Sequence, residues 1–338
     1  MAGNFVQLHN HTHYSLLDGA SKVPDLVKRV KELGMPAVGI TDHGNMHGAY
    51  ELWRAAVDSG VKPIIGIEAY VTPETARQDK TRVSWDTNWT PVPGHARNPD
   101  DVSGGGLITH LTMWAENDEG LVNLIKASSV ANLEGRVMRY PRMDKEVLST
   151  YSKGVIASSG CPSGIIQTRL RLGQFDEALR AAGEFQDIFG KDNFYIELMD
   201  HGLSIESKVT GDLLTIAKKL GAPLLATNDS HYVMEADKDA QDAMLCINSG
   251  ATLDDPNRFK FEGSGYYIKS AEEMRELFKD HPDACDNTLE IAERCNVIFD
   301  DHEDGAFMPQ FDCPEGWDET SLFLKKVEEG LEKRYDGN

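Results

Sequence analysis

Short apolar runs alternate with helically spaced apolar residues through about the first 230 positions of the chain. Residues 5–8, Phe-Val-Gln-Leu, are strand-like and run into His9. Val23, Leu26, Val27, Val30 and Leu33 then recur at helical spacing, and Gly34 stands where a helix would end. Residues 37–41 predict a second strand, followed at once by Asp42 and His43, and residues 63–70 a third. Further strands are expected over 107–112, 154–158, 194–198 and 223–227, with helical patterns such as 174–189 and 206–220 between them. Such alternation predicts an α/β fold of parallel strands joined by crossover helices. The strand count is seven, one short of the usual eight-stranded barrel.

Two stretches break the rhythm. Residues 72–106 are rich in Pro, Gly, Asp and Arg and end in Gly104-Gly105-Gly106, which predicts a long surface loop, either a lid or an insertion. After about residue 248 the pattern turns helical: Ser270-Ala271-Glu272-Glu273 forms a capping box opening a helix through Phe278, and residues 283–295 predict another. An acidic run over 300–305, an extended stretch over 307–314 and an amphipathic helix over 321–335 complete the chain. Ending on a helix that carries Leu322, Leu324, Val327 and Leu331, the chain reads as stopping at a domain border.

Composition narrows the function classes. Hydrophobic residues make up 40% and charged residues 26%, as in an ordinary soluble globular protein. No apolar run approaches the ~18 residues of a membrane helix. The first residues lack the basic-then-apolar pattern of a secretory signal, so membrane and secreted classes drop out. The formal net charge of −21 is opposite in sign to that of a free-standing protein gripping duplex DNA. An anionic substrate would therefore be reached through bound cations or through basic surface on another domain. The five cysteines, Cys161, Cys246, Cys285, Cys295 and Cys313, form no CxxC pair and predict free thiols in a reducing, cytoplasmic setting. All but Cys161 read as buried or partly buried small hydrophobes.

The informative feature is where metal-ligand residue types fall. The first strand ends in His9 and His11, with Asp18 in the next loop; the second ends in Asp42-His43 and the third in Glu68. The fourth contains His110, the fifth is followed by Cys161, and the seventh by Asp229 and His231. In a parallel barrel the strand C-termini share one face, where such folds build their sites. His-x-His on an extended strand puts both imidazoles on one side, and Asp229-x-His231 repeats the device. Imidazoles, carboxylates and a thiol together suit zinc, manganese or iron.

Residues 9–19 (HNHTHYSLLDG), 41–44 (TDHG), 66–70 (GIEAY) and 227–231 (TNDSH) together resemble the PHP domain, named for polymerase and histidinol phosphatase. Residues 159–164 (SGCPSG) and 197–202 (ELMDHG) resemble the branch found in bacterial DNA polymerase III alpha subunits. The resemblance covers about residues 5–280. It implies a distorted seven-stranded (β/α)7 barrel with a C-terminal helical extension, residues 1–280 being the phosphoesterase domain and 281–338 a helical linker toward a polymerase module. It also implies three divalent metal ions, zinc first and manganese or iron as alternatives. One ion would be held by His9, His11, Glu68 and Asp229; a second by the bridging Glu68 with His110 and Cys161; the third by Asp18, His43 and His231. Glu68, Asp229 and Cys161 carry the implied catalytic role, Cys161 as a metal thiolate, since no Cys-His-Asn context supports a nucleophilic thiol.

Ions bridged by a carboxylate suit phosphoester hydrolysis, activating water and neutralising charge on the phosphoryl group. The resemblance implies a 3′→5′ exonuclease proofreading for the attached polymerase, with a DNA primer 3′ end, the remainder of the alpha subunit and replisome components as partners. A small-molecule phosphatase of the histidinol-phosphate type and a non-catalytic metal-stabilised scaffold are the alternatives. DNA synthesis is not expected from this chain, because none of its acidic clusters reads as a palm carboxylate pair. His13, His47 and His201 are candidates to touch substrate phosphate, and Lys80, Arg82 and Arg97 to meet DNA; solvated or core roles suit them equally.

Overall fold

The computed structural model describes residues 5–90, 98–263, 265–299, 309 and 311–335. Arg97 and the acidic run 300–305 lie outside the described residues. The strands are β1 (Ala37–Ile40), β2 (Lys62–Val71), β3 (Thr109–Ala115), β4 (Arg142–Met143), β5 (Val155–Ser158), β6 (Phe194–Leu198) and β7 (Leu224–Ala226). The helices are α1 (Val23–Glu32), α2 (Ala49–Ser59), the short glycine turn α3 (Ser103–Gly106), α4 (Asp118–Glu134), α5 (Lys145–Thr150), α6 (Ile165–Arg171) and α7 (Phe175–Phe189). They continue with α8 (Ser204–Leu220), α9 (Lys238–Ser249), α10 (Ala271–Leu277), α11 (Pro282–Arg294) and α12 (Glu319–Tyr335).

Local sequence explains many boundaries. Pro24 sits in the first turn of α1, where its missing N–H costs nothing, and Gly34 adopts φ 69° just past the end. Asn117 and Asp144 cap α4 and α5 by accepting from Gly120 N and Val147 N. The Ser270–Glu273 capping box opens α10 as expected.

The strands form one sheet in the order β1-β2-β3-β5-β6-β7, with β4 paired to β2, curled into a half-barrel. Two expectations need correction. The chain is not parallel throughout: β3 pairs antiparallel with both β2 and β5, while the other pairings are parallel. Residues 5–8 also form no strand of their own, and β4 restores the count of seven. Instead the segment Gln7 to His11 hydrogen-bonds both edges of the sheet. Gly39 N donates to Gln7 O and Thr41 N to Asn10 O on one side; His11 N donates to Ser230 O on the other. Gly39 permits this approach, since a Cβ there would lie 2.5 Å from Leu8 O.

Inside the curl Val6, Leu8, Ala37, Ile64, Trp114, Ile156, Tyr195 and Leu225 make one buried cluster, joined by Ile291, Ala292 and Cys295 at the end of α11. This core occupies the end of the sheet where the parallel strands begin. One compact unit runs from Met1 to Ile298 and includes α11. A second unit, Phe299–Asn338, contains α12, whose described residues are largely exposed. Residues 72–106 contain no strand in their described part and are fastened by specific bonds. The Asp101 carboxylate accepts from Trp85 N and Ser84 Oγ, and the Arg169 guanidinium lies 3.7 Å from the Trp85 ring centroid.

Candidate metal centre

The nine expected ligand residues meet at the end of the sheet where the parallel strands finish. β3 explains how His110 reaches them. Because β3 runs against its neighbours, its first residues lie at that end, and its last residues, including Trp114, enter the core. His9 and His11 lie on one side of the N-terminal segment, with ring centroids 5.3 Å apart, as period-two alternation requires.

The ring nitrogens are oriented from behind. His9 Nδ1 is 2.7 Å from Glu197 Oε1, His11 Nδ1 is 2.9 Å from Ser15 Oγ, and His231 Nδ1 is 2.8 Å from Asp229 O. Each contact engages Nδ1 and leaves Nε2 to face the centre. Glu197 on β6 is itself held by Ser158 and Thr227, while Asp42 accepts from Ser15 Oγ and from Thr12 N and Oγ1. Sequence reading missed Glu197 as a site residue and gave Asp42 no role beyond its place beside His43. The available signal was a carboxylate within an otherwise apolar run, since Glu197 lies in a wholly buried strand.

Glu68 is the hub. Its carboxylate oxygens lie 2.7 Å from His43 Nδ1, 3.1 Å from His110 Nδ1, 3.3 Å from His11 Nε2 and 3.6 Å from His9 Nε2. Asp229 Oδ1 lies 3.1 Å from His11 Nε2 and 3.3 Å from His9 Nε2. Asp18 Oδ2 stands 2.9 Å from His43 Nε2 and 3.6 Å from His231 Nε2, and Cys161 Sγ is 3.4 Å from His110 Nδ1.

Three overlapping groups of donor atoms result: His9, His11 and Asp229; His43, Glu68 and His110; and His11, His43 and His231. His9 Nε2, His11 Nε2, His43 Nδ1, Glu68 Oε2, Asp229 Oδ1 and His231 Nε2 are buried with no hydrogen-bond partner among the described residues. These atoms border one shared space. Donors about 2.0–2.2 Å from a tetrahedral ion stand roughly 3.3–3.6 Å apart, much like these spacings. The residues fit divalent cations.

Without a cation the cluster balances its charge with protons. Burial favours neutral His9, but the charges of Asp229 and Glu197 prevail and hold its pKa well above the ordinary imidazole range. His43 is raised in the same way against burial, with Tyr70 and Glu68 as the leading counterweights. Burial also opposes ionisation of Glu68, yet His110 and His43 hold its carboxyl well below the usual range. Burial lowers His11, which stays neutral, and raises the Cys161 thiol well above its normal value, assisted by Glu68 and Asp229.

These directions predict a pH signature. Raised imidazoles stabilise the fold below about pH 6.5 and lose that contribution as the pH climbs through their raised values. Cation binding changes oppositely, because each departing proton frees a ligand. The melting-temperature gap between metal-loaded and chelated protein is therefore expected to widen from about pH 6 to about pH 9. A gap independent of pH in that window would contradict the assignment.

The other candidates resolve differently. His201 is fully engaged, with Nδ1 2.6 Å from Glu206 Oε1, Nε2 3.0 Å from Asn228 O, and its ring stacked on Tyr266. It serves as internal bracing and does not reach toward a phosphate. The His13 ring lies tilted against Tyr14, His47 and Lys80 are exposed, and Arg82 is tied to the carbonyls of Gly104 and Gly105. A cavity of about 430 Å³ is lined by none of the nine candidate donors; its lining residue Phe261 packs edge-on against His231. All five cysteines are free, as expected. No described helix is long and apolar enough to cross a membrane.

Comparison with known proteins gives this geometry its context. A family model described as the PHP domain matches residues 7–201. The chain belongs to the PHP domain family. The PHP match stops short of Asp229 and His231, which the fold nevertheless brings into the centre. The chain is 51% identical over 333 residues to DNA polymerase III subunit alpha of Mycobacterium leprae, covering 98% of this chain and 28% of that protein. It is 39% identical over 335 residues to the protein of the same name from Borreliella burgdorferi, covering 98% of this chain and 27% of that protein. The chain thus spans little more than a quarter of the length of these relatives. Among solved structures, an amidohydrolase from Chromobacterium violaceum superposes with a TM-score of 0.39 at 14% identity, over 67% of this chain and 87% of that one.

Proposed function

We propose that this chain is a metal-dependent phosphoesterase that removes nucleotides from DNA 3′ ends, the 3′→5′ proofreading nuclease within a DNA polymerase III alpha subunit. The observation that carries the reading is the convergence of the nine candidate side chains, six of which carry a buried donor atom with no hydrogen-bond partner among the described residues. Membership of the PHP family and the name shared by the relatives support the phosphoester and polymerase parts. The primer 3′ end, the rest of the alpha subunit and the replisome are the corresponding partners.

In this proposal His9, His11, Glu68 and Asp229 hold one ion, Glu68, His110 and Cys161 a second, and Asp18, His43 and His231 a third, with zinc the first choice. Bound divalent cations supply Lewis acidity and positive charge for attack of water on a phosphodiester. The chain's own residues prepare the ground for that chemistry. Glu197 keeps the His9 proton on Nδ1, so Nε2 remains a donor. Asp42 acts on His11 in the same sense through Ser15. Glu68, buried at the hub, links all three groups, and the covered pocket floor weakens screening between charges.

Metal-loaded protein is expected to shorten single-stranded or mismatched 3′ ends, and chelator to abolish this. Turnover should be slow and suppressed further at low salt, because a chain of net charge −21 repels DNA. Intact ends alongside hydrolysis of a small phosphate ester would move the assignment to a phosphatase. Bound metal with neither activity would leave a scaffold.

A further inference from the structure

Asp229 is one of four non-glycine residues in the left-handed region among the described residues, at φ 44°. An L side chain resists this conformation, so the surroundings must impose it. The imposing element is the preceding residue. Asn228 Nδ2 donates to Gly265 O and Tyr267 O, both at 2.8 Å, and its main-chain oxygen is 3.0 Å from His201 Nε2. The side-chain oxygen, Asn228 Oδ1, accepts from Lys269 Nζ at 2.6 Å.

Lys269 is unusual in that place. Its ammonium also donates to Gly265 O and lies 5.2 Å from the Tyr267 ring centroid, and no carboxylate stands within ion-pair distance of it among the described residues. Burial brings its pKa down to about 8 although Glu273 and Glu206 work to raise it. A half-buried cation without an ionic partner is a net cost unless its hydrogen bonds matter elsewhere. Gly265 leaves room for it: a Cβ at that position would lie 2.9 Å from Nζ and 3.3 Å from His201 Cδ2.

We propose that Lys269 is a positioning residue for the metal centre, locking Asn228 and thereby the turn that aims the Asp229 carboxylate at His9 and His11. Lys269 touches no donor atom itself. It comes from the stretch after the last site loop, which runs beside residues 230–233 through the Tyr232–Tyr267 bridge. The inference rests on the reading that Asp229 holds an ion.

The test is zinc affinity, measured by competition with a chromophoric chelator on Lys269→Met, Asp229→Asn and the double variant. Lys269→Met is expected to weaken zinc binding by about tenfold or more, as loss of an orienting contact behind a ligand does. Because Lys269 acts through Asp229, the double variant should bind no more weakly than Asp229→Asn alone. Gly265→Ala, which crowds the ammonium without removing it, should weaken binding in the same direction and stands in if Lys269→Met fails to fold. A variant with a lowered melting temperature in chelator but wild-type zinc affinity would overturn the inference and leave the metal centre standing. Additive losses in the double variant would overturn it too. Absence of zinc binding by the unaltered protein would instead remove the ligand assignment, and the inference with it.

Discussion

Glu68→Gln is expected to abolish hydrolysis, by roughly two orders of magnitude or more, and to empty more of the metal centre than any other single change. The reason is position: among the described residues only the Glu68 carboxylate reaches imidazoles of all three donor groups, at 2.7–3.6 Å. Gln preserves the shape but removes the charge and turns one acceptor into an N–H donor, which has no lone pair to offer a cation. Stability should fall even in chelator. The Glu68 carboxyl is held well below its ordinary range despite burial, by His110 and His43, so its charge stabilises the fold at any pH above the normal carboxyl range. Removing one partner from such a buried cluster costs roughly 3–5 kcal/mol. The wild type should gain further stability from zinc by mass action, whereas the variant should gain little. Metal analysis and melting curves with and without zinc read both effects. Stoichiometric metal retained in the variant would refute the hub role.

Trp114→Ala should be the most damaging change away from the donors. Trp114 is fully buried where the N-terminal segment and every strand but β4 contribute to one cluster, and its indole N–H donates to Leu8 O at 3.0 Å. Truncation costs about 3–5 kcal/mol from lost burial and the cavity. Stranding the Leu8 carbonyl adds about 1–3 kcal/mol unless water enters. Leu8 directly precedes His9, so metal affinity is expected to weaken with the fold. Trp114→Phe, which keeps most of the packing, should recover most of the denaturant midpoint and less of the metal affinity. Equal recovery of both would mean that the hydrogen bond does not position the segment.

Donor placement is legible in the sequence because it follows from local pattern. A His-x-His pair on an extended segment must share a side, and acidic or imidazole residues just after apolar runs must emerge at strand ends. Helix ends are legible for the same reason: Pro24, Gly34 and the Ser270–Glu273 box act within one or two turns of chain. The direction of β3 is not. An apolar run looks alike whichever way it is threaded, and direction is settled by which neighbours it pairs with. The run at 107–112 suggests His110 as a site residue, and the correct reason is that its strand is reversed.

The sequence by itself determined the inventory, meaning the nine candidate donors, the α/β alternation and the acidic excess. The tertiary structure decided how that inventory is arranged and oriented. Glu197 meets His9 across 188 residues, Lys269 meets Asn228 across 41, and Trp114 meets Leu8 across 106. No local periodicity reports such pairings. Their partners are chosen by the closing of the sheet, which brings distant segments to hydrogen-bond distance in a place that water cannot reach, where each buried polar group must find a partner or a bound ion.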